Sequence, residues 1–503
     1  MSDLIFRAVP RWKRAATATV AVVLTAAASG CAVGPDFARP AAPTTDRFTP
    51  DVLPANTASA DVPSGGEVQR LLVGRDIPGE WWTLFHSKPL DELIATALHD
   101  NPSLEAAKAT LRQARENLYA GETSLFPTLT GNVSATREKF STSSIGFPGQ
   151  EALFSLSTAS LNVSYPLDIF GGIRRQIESL AAEADYQEFE AEAAYVSLTA
   201  NVVLTAIQEA SLRAQIRAEK EIIDADAHQA EVLHQQFALG GVPGAAVLAQ
   251  DAILAQARAT LPPLEKALAQ ARNQLAVLTG KLPSEAAGAT FELADLELPQ
   301  DLPVSLPSKL VEQRPDIRAA ESTLHAASAE IGVATANMLP QVNLTGSFGS
   351  TASPAGNLFG ANTGVWSIGG SLAQTLFDSG ALIHKWRAAV AAFDQAAAAY
   401  KSTVLASFQD VANVLRALQS DADAVNADLQ AERAAAKSLD VARGQYQIGS
   451  ITYVALLEAE QTYQQARISL VLAKANRYSD TVALFQALGG GWWNRDDLAG
   501  DEK

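Results

Sequence analysis

Two stretches of this chain answer each other some two hundred residues apart, so whatever it folds into has to be built twice. NPSLEAA (Asn101 to Ala107) is matched by RPDIRAA (Arg314 to Ala320) at an offset of 213 residues. Phe126–Pro127 is matched by Leu339–Pro340 at the same offset. FALGGVPGAAVLAQDAILAQAR from Phe237 is matched by YQIGSITYVALLEAEQTYQQAR from Tyr446 at an offset of 209. A period that long excludes a solenoid of small repeats and marks two tandem copies of one large unit. Inside each copy the pattern predicts a helix, two strands, a very long helix, a turn and a returning helix.

The long helix of the second copy carries the clearest period. Val404, Val411, Leu418 and Val425 stand seven residues apart, and Phe408, Leu415, Ala422 and Leu429 fill the second core position. A strict seven-residue repeat implies left-handed coiled-coil packing. The helix is predicted over residues 381–448, about 100 Å at 1.5 Å per residue. Its counterpart covers 174–239, and the two stop at Gly240 and Gly449, as helix C-termini should. Shorter helices over 88–124 and 307–338 lead into the strands, and helices over 242–279 and 451–488 return from the turns. Pro262–Pro263 predicts a break or kink in the first returning helix. The Pro-rich piece 281–306 reads as a connection between the copies.

The strands alternate at period two. Leu129, Val133 and Ala135 interleave with Thr130, Asn132, Ser134 and Thr136; Val342, Leu344 and Phe348 interleave with Gln341, Asn343, Thr345 and Ser347. Leu161, Val163 and Tyr165, and then Trp366, Ile368 and Leu372, repeat the pattern against serine, asparagine and glycine. Segments of about ten residues, apolar on one face and polar on the other, match outer-membrane barrel strands, with Phe140, Phe154, Tyr165 and Trp366 as candidate aromatic girdles. A soluble sandwich with one wet face writes the same alternation. Four strands are too few to close a barrel, whose smallest form has about eight, so the open edges must pair with other chains. A barrel shared between subunits on a bundle of long helices is a tube.

The N-terminus points to export. Arg7, Arg11, Lys13 and Arg14 precede an uncharged run from Ala15 to Ser29, the pattern of a secretory signal. The only cysteine, Cys31, follows Gly30 and resembles the acylated cysteine of a bacterial lipobox, with Ala28 where such motifs usually carry leucine. Cleavage after Gly30 removes four of 38 basic and one of 55 acidic side chains, leaving 34 against 54, a net charge of −20. So acidic a chain does not bind nucleic acid by neutralising phosphates. It also lacks any run of about eighteen apolar residues, so a membrane crossing has to be made by strands. After Cys31 a leader rich in Pro, Ala and Ser, to about residue 66, reads as an extended linker.

No enzyme constellation is legible. His228 and His234 are six apart, which does not put them on one helix face as a metal pair. LTGK (Leu278 to Lys281) lacks the upstream glycine of a phosphate loop, and no G-x-S-x-G elbow occurs. One cysteine and one methionine beyond Met1 give no sulfur set for soft metals.

CAVGPDF, WWTLFHSKPLDELIATALHDNPSLEAA, LDIFGG, LPPLEKALAQARNQLAVLTG, VEQRPDIRAAE and ALGGGW, in this order, resemble the outer membrane factor family, the TolC-like exit ducts, in its NodT-type lipoprotein branch. The resemblance implies a mainly α fold with a membrane β-barrel: a trimeric α/β tunnel with four strands per chain in a shared twelve-stranded barrel. It implies no cofactor beyond a covalent lipid on Cys31, N-palmitoyl and S-diacylglycerol. It implies a homotrimer in the outer membrane, working with a periplasmic adaptor and an inner-membrane pump of the resistance-nodulation-division class. The resulting division is a signal (1–30), lipidated linker (31–80), first repeat (81–280), connection (281–306), second repeat (307–488) and tail (489–503).

In that family the hairpin tips dock the adaptor, here Gly240–Gly241 and Gly449–Ser450, and the periplasmic constriction lies just after the second tip. Val454 falls where one relative carries an apolar ring, and Glu458 where an acidic ring follows. Spacing of four puts them on one helix face. Ala249 stands opposite Glu458 in the first copy, so one carboxylate ring is expected. Ala455 and Ile451 replace the acidic residue and the arginine of the prototype's latch. The function implied is passive export of small molecules. A protein-secretion duct and a poreless periplasmic lipoprotein are the alternatives, and the strand pairs speak against the second.

Overall fold

The computed structural model describes residues 32–141, 151–285, 290–353 and 355–495; Cys31 and the signal lie outside them. The first copy runs β1 (Arg70–Val73), α1 (Lys88–Asp100), α2 (Pro102–Glu122), β2 (Thr128–Ser141), β3 (Glu151–Leu167), α3 (Gly172–Ala238) and α4 (Gly244–Leu278). The second repeats it as β4 (Asp301–Val304), α5 (Pro307–Gln313), α6 (Pro315–Ala336), β5 (Gln341–Ala352), β6 (Gly364–Ala373), α7 (Ala381–Gln447) and α8 (Tyr453–Ala487). Each copy opens with a short strand, and these two pair in parallel from Arg70↔Asp301 to Val73↔Val304. These elements form two compact units, one taking in residues up to Arg39, Arg112–Tyr186 and Ala320–Tyr400, the other Pro40–Leu111, Gln187–Ala319 and Lys401–Lys503.

The first unit holds a four-stranded antiparallel sheet in the order β2-β3-β5-β6. Both strand-to-helix corners have the same construction. After β3, Asp168 accepts from the amides of Ile173 and Arg174, each at 3.0 Å, and Gly171 sits at φ 74°. After β6, Asp378 accepts from Gly380 at 2.9 Å and Leu382 at 2.7 Å, with Gly380 at φ 87°. Each carboxylate satisfies amides that a helix start leaves orphaned.

The second unit carries the main core. Trp81 stacks on Phe485 at 5.0 Å, and Phe85, Ile94, Val203, Leu302 and Tyr478 are buried around them. The heptad positions Val411, Leu415, Leu418, Ala422, Val425 and Leu429 are all buried, so the sequence period is the packing period. The leading helices, expected as single spans, are each broken one residue before a proline, because X-Pro disfavours helical backbone at X. At the first break Asn101 caps α2 through Ser103 and Leu104, at 2.9 and 3.1 Å, and donates to the Leu278 carbonyl at 2.9 Å. At the second, Arg314 donates to the Ala487 carbonyl at 3.0 Å. The NP and RP motifs therefore tie the head of each copy to the end of its own returning helix.

Two expectations change. Pro262 and Pro263 lie inside α4 without ending it. The residues whose carbonyls lose their donors, Arg258 and Ala259, face water, which hydrates them. The leader is extended but not free. Phe48 packs on Phe408 at 5.4 Å, Asp51 meets Arg416 at 3.3 Å, Gln419 donates to the Pro54 carbonyl, and Asp61 meets Arg433 at 2.8 Å. From Phe48 to Asp61 the leader takes thirteen steps along 25 steps of α7, Phe408 to Arg433, about 37 Å of helix, or about 2.9 Å per step, close to a polyproline strand. Its prolines pre-set that conformation.

Asp421 on α7 faces Asp480 on α8. Burial, the hydrogen bond to Asp480 and its charge push the Asp421 carboxyl up to about 7, against the pull of Arg477. The folded state thus holds a proton that the unfolded chain releases near 3.8. Stability from this pair is complete below that value and is lost as pH rises through about 7. Asp421→Asn should therefore raise the thermal midpoint by a few degrees at pH 8 and change it little at pH 5. Equal shifts at both pH values would show that the carboxyl pair does not titrate.

Candidate functional site

Register sorts the sheet into two unlike faces. The rows Gly131–Leu161–Phe348–Trp366 and Leu129–Val163–Gly346–Ile368, and the run Tyr165–Leu344–Gly370, place one apolar band across the strands. The opposite face is bonded through hydroxyls and amides: Ser347 to Ser367 at 2.8 Å, Ser164 to Asn343 at 3.3 Å, Thr158 to Thr351 at 3.2 Å. Apolar side chains such as Trp366 and Ile368 are largely exposed, a cost in water that hydrocarbon removes. Among the candidate girdle residues Tyr165 and Trp366 lie on the apolar face. Phe154 does not: the unbroken β2–β3 register puts it on the face of Thr158 and Ser160. The side chain of Phe140 lies outside the described residues. Among the described residues β2 and β6 each pair on one side only.

In the second unit both tips end alike. The amide of Gly241 donates to the Gln236 carbonyl at 2.7 Å and that of Gly240 to Phe237 at 2.9 Å. Ser450 donates to Gln445 at 2.8 Å and Gly449 to Tyr446 at 2.9 Å. These are two Schellman motifs, with Gly240 at φ 73° and Gly449 at φ 72°. Leu239 and Ile448, equivalent in the two copies, are 87% and 80% exposed beside them. One apolar cluster of Leu233, Val247, Leu439, Ala442, Tyr453, Leu456 and Leu457 packs the tip ends of all four helices together.

That cluster fixes the first turns of α8. Thr452 caps the helix by accepting from the Ala455 amide at 3.3 Å. Tyr453 turns inward and its hydroxyl donates to Gln250, whose amide donates to the Asp226 carbonyl at 3.0 Å. Burial pushes the Asp226 carboxyl up, against hydrogen bonds from Gln250 and Gln464. With Tyr453, Leu456 and Leu457 buried, Val454 and Glu458 are left on the exposed side, one turn apart. The structure thus puts the two residues on one outward face, next to Gly449 and Ser450.

Sequence reasoning missed the Tyr453–Gln250 link and a pair of matching side-chain contacts. His234 meets Asp251 at 3.1 Å and Arg443 meets Glu460 at 3.4 Å. They occupy equivalent places 209 residues apart, a signal that the offset carried and that was readable. Among the described residues no three His, Cys, Asp or Glu side chains converge on a metal site. No helix among them is long and apolar enough to cross a membrane.

The family model described as outer membrane efflux protein matches residues 93–281 and 306–490, which are the two structural copies. The pyoverdine export outer membrane protein OpmQ of Pseudomonas aeruginosa is 28% identical over 418 residues, 82% of this chain and 87% of that protein. The cation efflux system protein CusC of Escherichia coli K12 is 26% identical over 468 residues, 92% of this chain and 97% of that one. The solved structure of the outer-membrane channel OprN superposes with a TM-score of 0.82 at 28% identity, covering 92% of this chain and all of that one. With both copies matched and a two-faced sheet joined to long helical hairpins, this chain belongs to the outer membrane efflux protein family.

Proposed function

We propose that the chain is the exit duct of a tripartite efflux system, carrying small molecules passively from an inner-membrane pump and periplasmic adaptor across the outer membrane. The observation that carries this is the sheet: one apolar face, one hydroxyl-lined face, and two edge strands, β2 and β6, that pair on one side only among the described residues. Three copies give twelve strands, an even number within the range that closes. The polar face, rich in Ser, Thr and Asn, offers water a lining without a specific binding group. The relatives, named for export of pyoverdine and of cations, fit a duct whose cargo the pump selects. Deleting the chain's gene should raise retention of a lipophilic fluorescent dye several-fold in energised cells, and restoring it should reverse this. Unchanged retention together with loss of a secreted protein would favour the protein-secretion reading.

The lipid on Cys31, the gate at Val454 and Glu458 and the docking tips belong to the same proposal. At the tips, a β-carbon on Gly240 or Gly449 meets nothing within 4 Å, so a side chain there projects into open space. Its intrinsic cost is the left-handed backbone, about 1–2 kcal/mol for an L-residue. Gly449→Trp should keep trimers on native gels while export falls at least several-fold; Gly449→Asn, which tolerates that backbone, should retain most export. Normal export by the Trp variant would leave the glycine only its capping role.

A further inference from the structure

The leader within the first unit runs along α6 in a measurable register. Arg39 pairs with Glu321 at 2.6 Å, Phe37 stacks on His325 at 4.3 Å, and Gly34 packs so closely on Gly332 that a β-carbon would stand 2.5 Å from its Cα. Arg175, almost fully buried, holds this strap by donating to the Val33 carbonyl at 3.1 Å and to Asp36 at 2.5 Å. The Val33 amide donates to the Phe170 carbonyl at 3.0 Å, and Ala32 abuts Gly171. Six leader residues, Gly34 to Arg39, cover twelve residues of α6, from Glu321 to Gly332, in five and eleven steps. That is about 16 Å of helix, so the strap is close to fully extended. Ala32, the first described residue, already abuts Gly171, whose neighbour Gly172 packs on Ala336 at the end of α6.

A cavity of about 300 Å³ lies at that level, walled by Leu167, Ile169, Phe170, Ile173, Val333 and Ala336. Its size is at the lower end of ligand cavities. Two of its polar wall groups are engaged, while Ser124, Gln176 and Asn337 also line it. Asp168 accepts from the Ile173 and Arg174 amides, and the Gln341 amide donates to the Ala336 and Leu339 carbonyls. The cavity's apolar side, from Leu167 to Ile173 and at Val333 and Ala336, can take an alkyl chain. Phe170 belongs both to its wall and to the strap's hydrogen bond, so the chain leading back to Cys31 reaches the cavity's edge.

We propose that this cavity is an acyl-chain site, filled by part of one fatty chain of the lipid on Cys31. This rests on the lipidation reading. Arg175 is then a positioning residue: it fixes the height of the lipid against the foot of the sheet. The cavity occupant is covalently supplied, so the site needs no selectivity of its own.

The test uses the full chain in cells fed a palmitate analogue bearing a diazirine and an alkyne, followed by irradiation and peptide mapping. Adducts should concentrate within residues 166–176 and 333–341. Ile169→Trp, at a half-exposed wall position, should cut those adducts at least three-fold while total label on the protein stays constant; Ala336→Phe serves as a second filling variant. Labelled protein whose adducts lie only on lipid or on the apolar sheet face overturns the acyl site and leaves lipidation standing. Protein that carries no label overturns lipidation, and the site with it.

Discussion

Arg477→Ala should detach the leader from the second unit and cost on the order of 4 kcal/mol. The guanidinium is fully buried, and all of its reach is spent on residues 57–69. It donates to the Gly65 carbonyl at 2.9 Å, the Glu67 carbonyl at 2.5 Å, the Thr57 hydroxyl at 3.0 Å and Gln69 Oε1 at 3.4 Å. Gln69 in turn donates to the Pro299 carbonyl at 3.0 Å and to Thr481 at 2.9 Å. Burial works against the charge, with Glu67 partly offsetting it. Truncation leaves several buried acceptors without a donor, each costing about 1–3 kcal/mol. Lysine, a point charge without the planar fork, should restore only part of this. Limited proteolysis reads the outcome: the wild-type leader should resist cleavage at Arg70 while the alanine variant is cut at least ten-fold faster. A variant as resistant as the wild type would mean that the leader is held by its exposed ion pairs, which are individually worth little.

What could be read in advance, and what could not, follows from how many residues repeat a signal. The heptad from Val404 to Leu429 states one preference eight times over, and Val411 to Leu429 came out buried as read. Alternation along β2, β3, β5 and β6 fixed the two faces, because a slip of one residue would turn every side chain over. Phe154 was misplaced because it was read by residue type and not by parity along β3. The helix breaks at Asn101 and Arg314 were readable from the prolines that follow. Pro262–Pro263 misled in the other direction, since an exposed helix face can hydrate the freed carbonyls. Arg477 gave no signal at all. An arginine in an amphipathic helix is usually solvated, and bonds to distant backbone carbonyls leave no mark on residue type. The β1–β4 pair was equally silent, being four residues on each side and 231 apart. The shared face of Val454 and Glu458 was legible from spacing, whereas the Tyr453–Gln250 bond that orients it needed the fold.

At the proposed gate, Glu458→Ala should move the channel's cation preference toward unity, and Val454→Ala should raise its resting current several-fold. The geometry behind this is the first two turns of α8. Tyr453, Leu456 and Leu457 hold the inner side, and Val454, 58% exposed, shares the outer side with Glu458. In a trimer three copies of that face stack an apolar ring one helical turn from a ring of three carboxylates. Like charges gathered in a constriction attract cations and repel anions, and the apolar ring resists wetting when narrow. The first copy adds nothing to the charge, because Ala245 and Ala249 stand where Val454 and Glu458 stand in the second. Removing one side chain per chain thus removes the whole ring. Neither substitution touches the buried cluster, so assembly should be unaffected. Conductance of purified trimers in planar bilayers, with block by a multivalent cation as the second readout, decides it. Glu458→Ala should weaken the block at least ten-fold. Unchanged selectivity, block and resting current in both variants would place the constriction elsewhere along the helices.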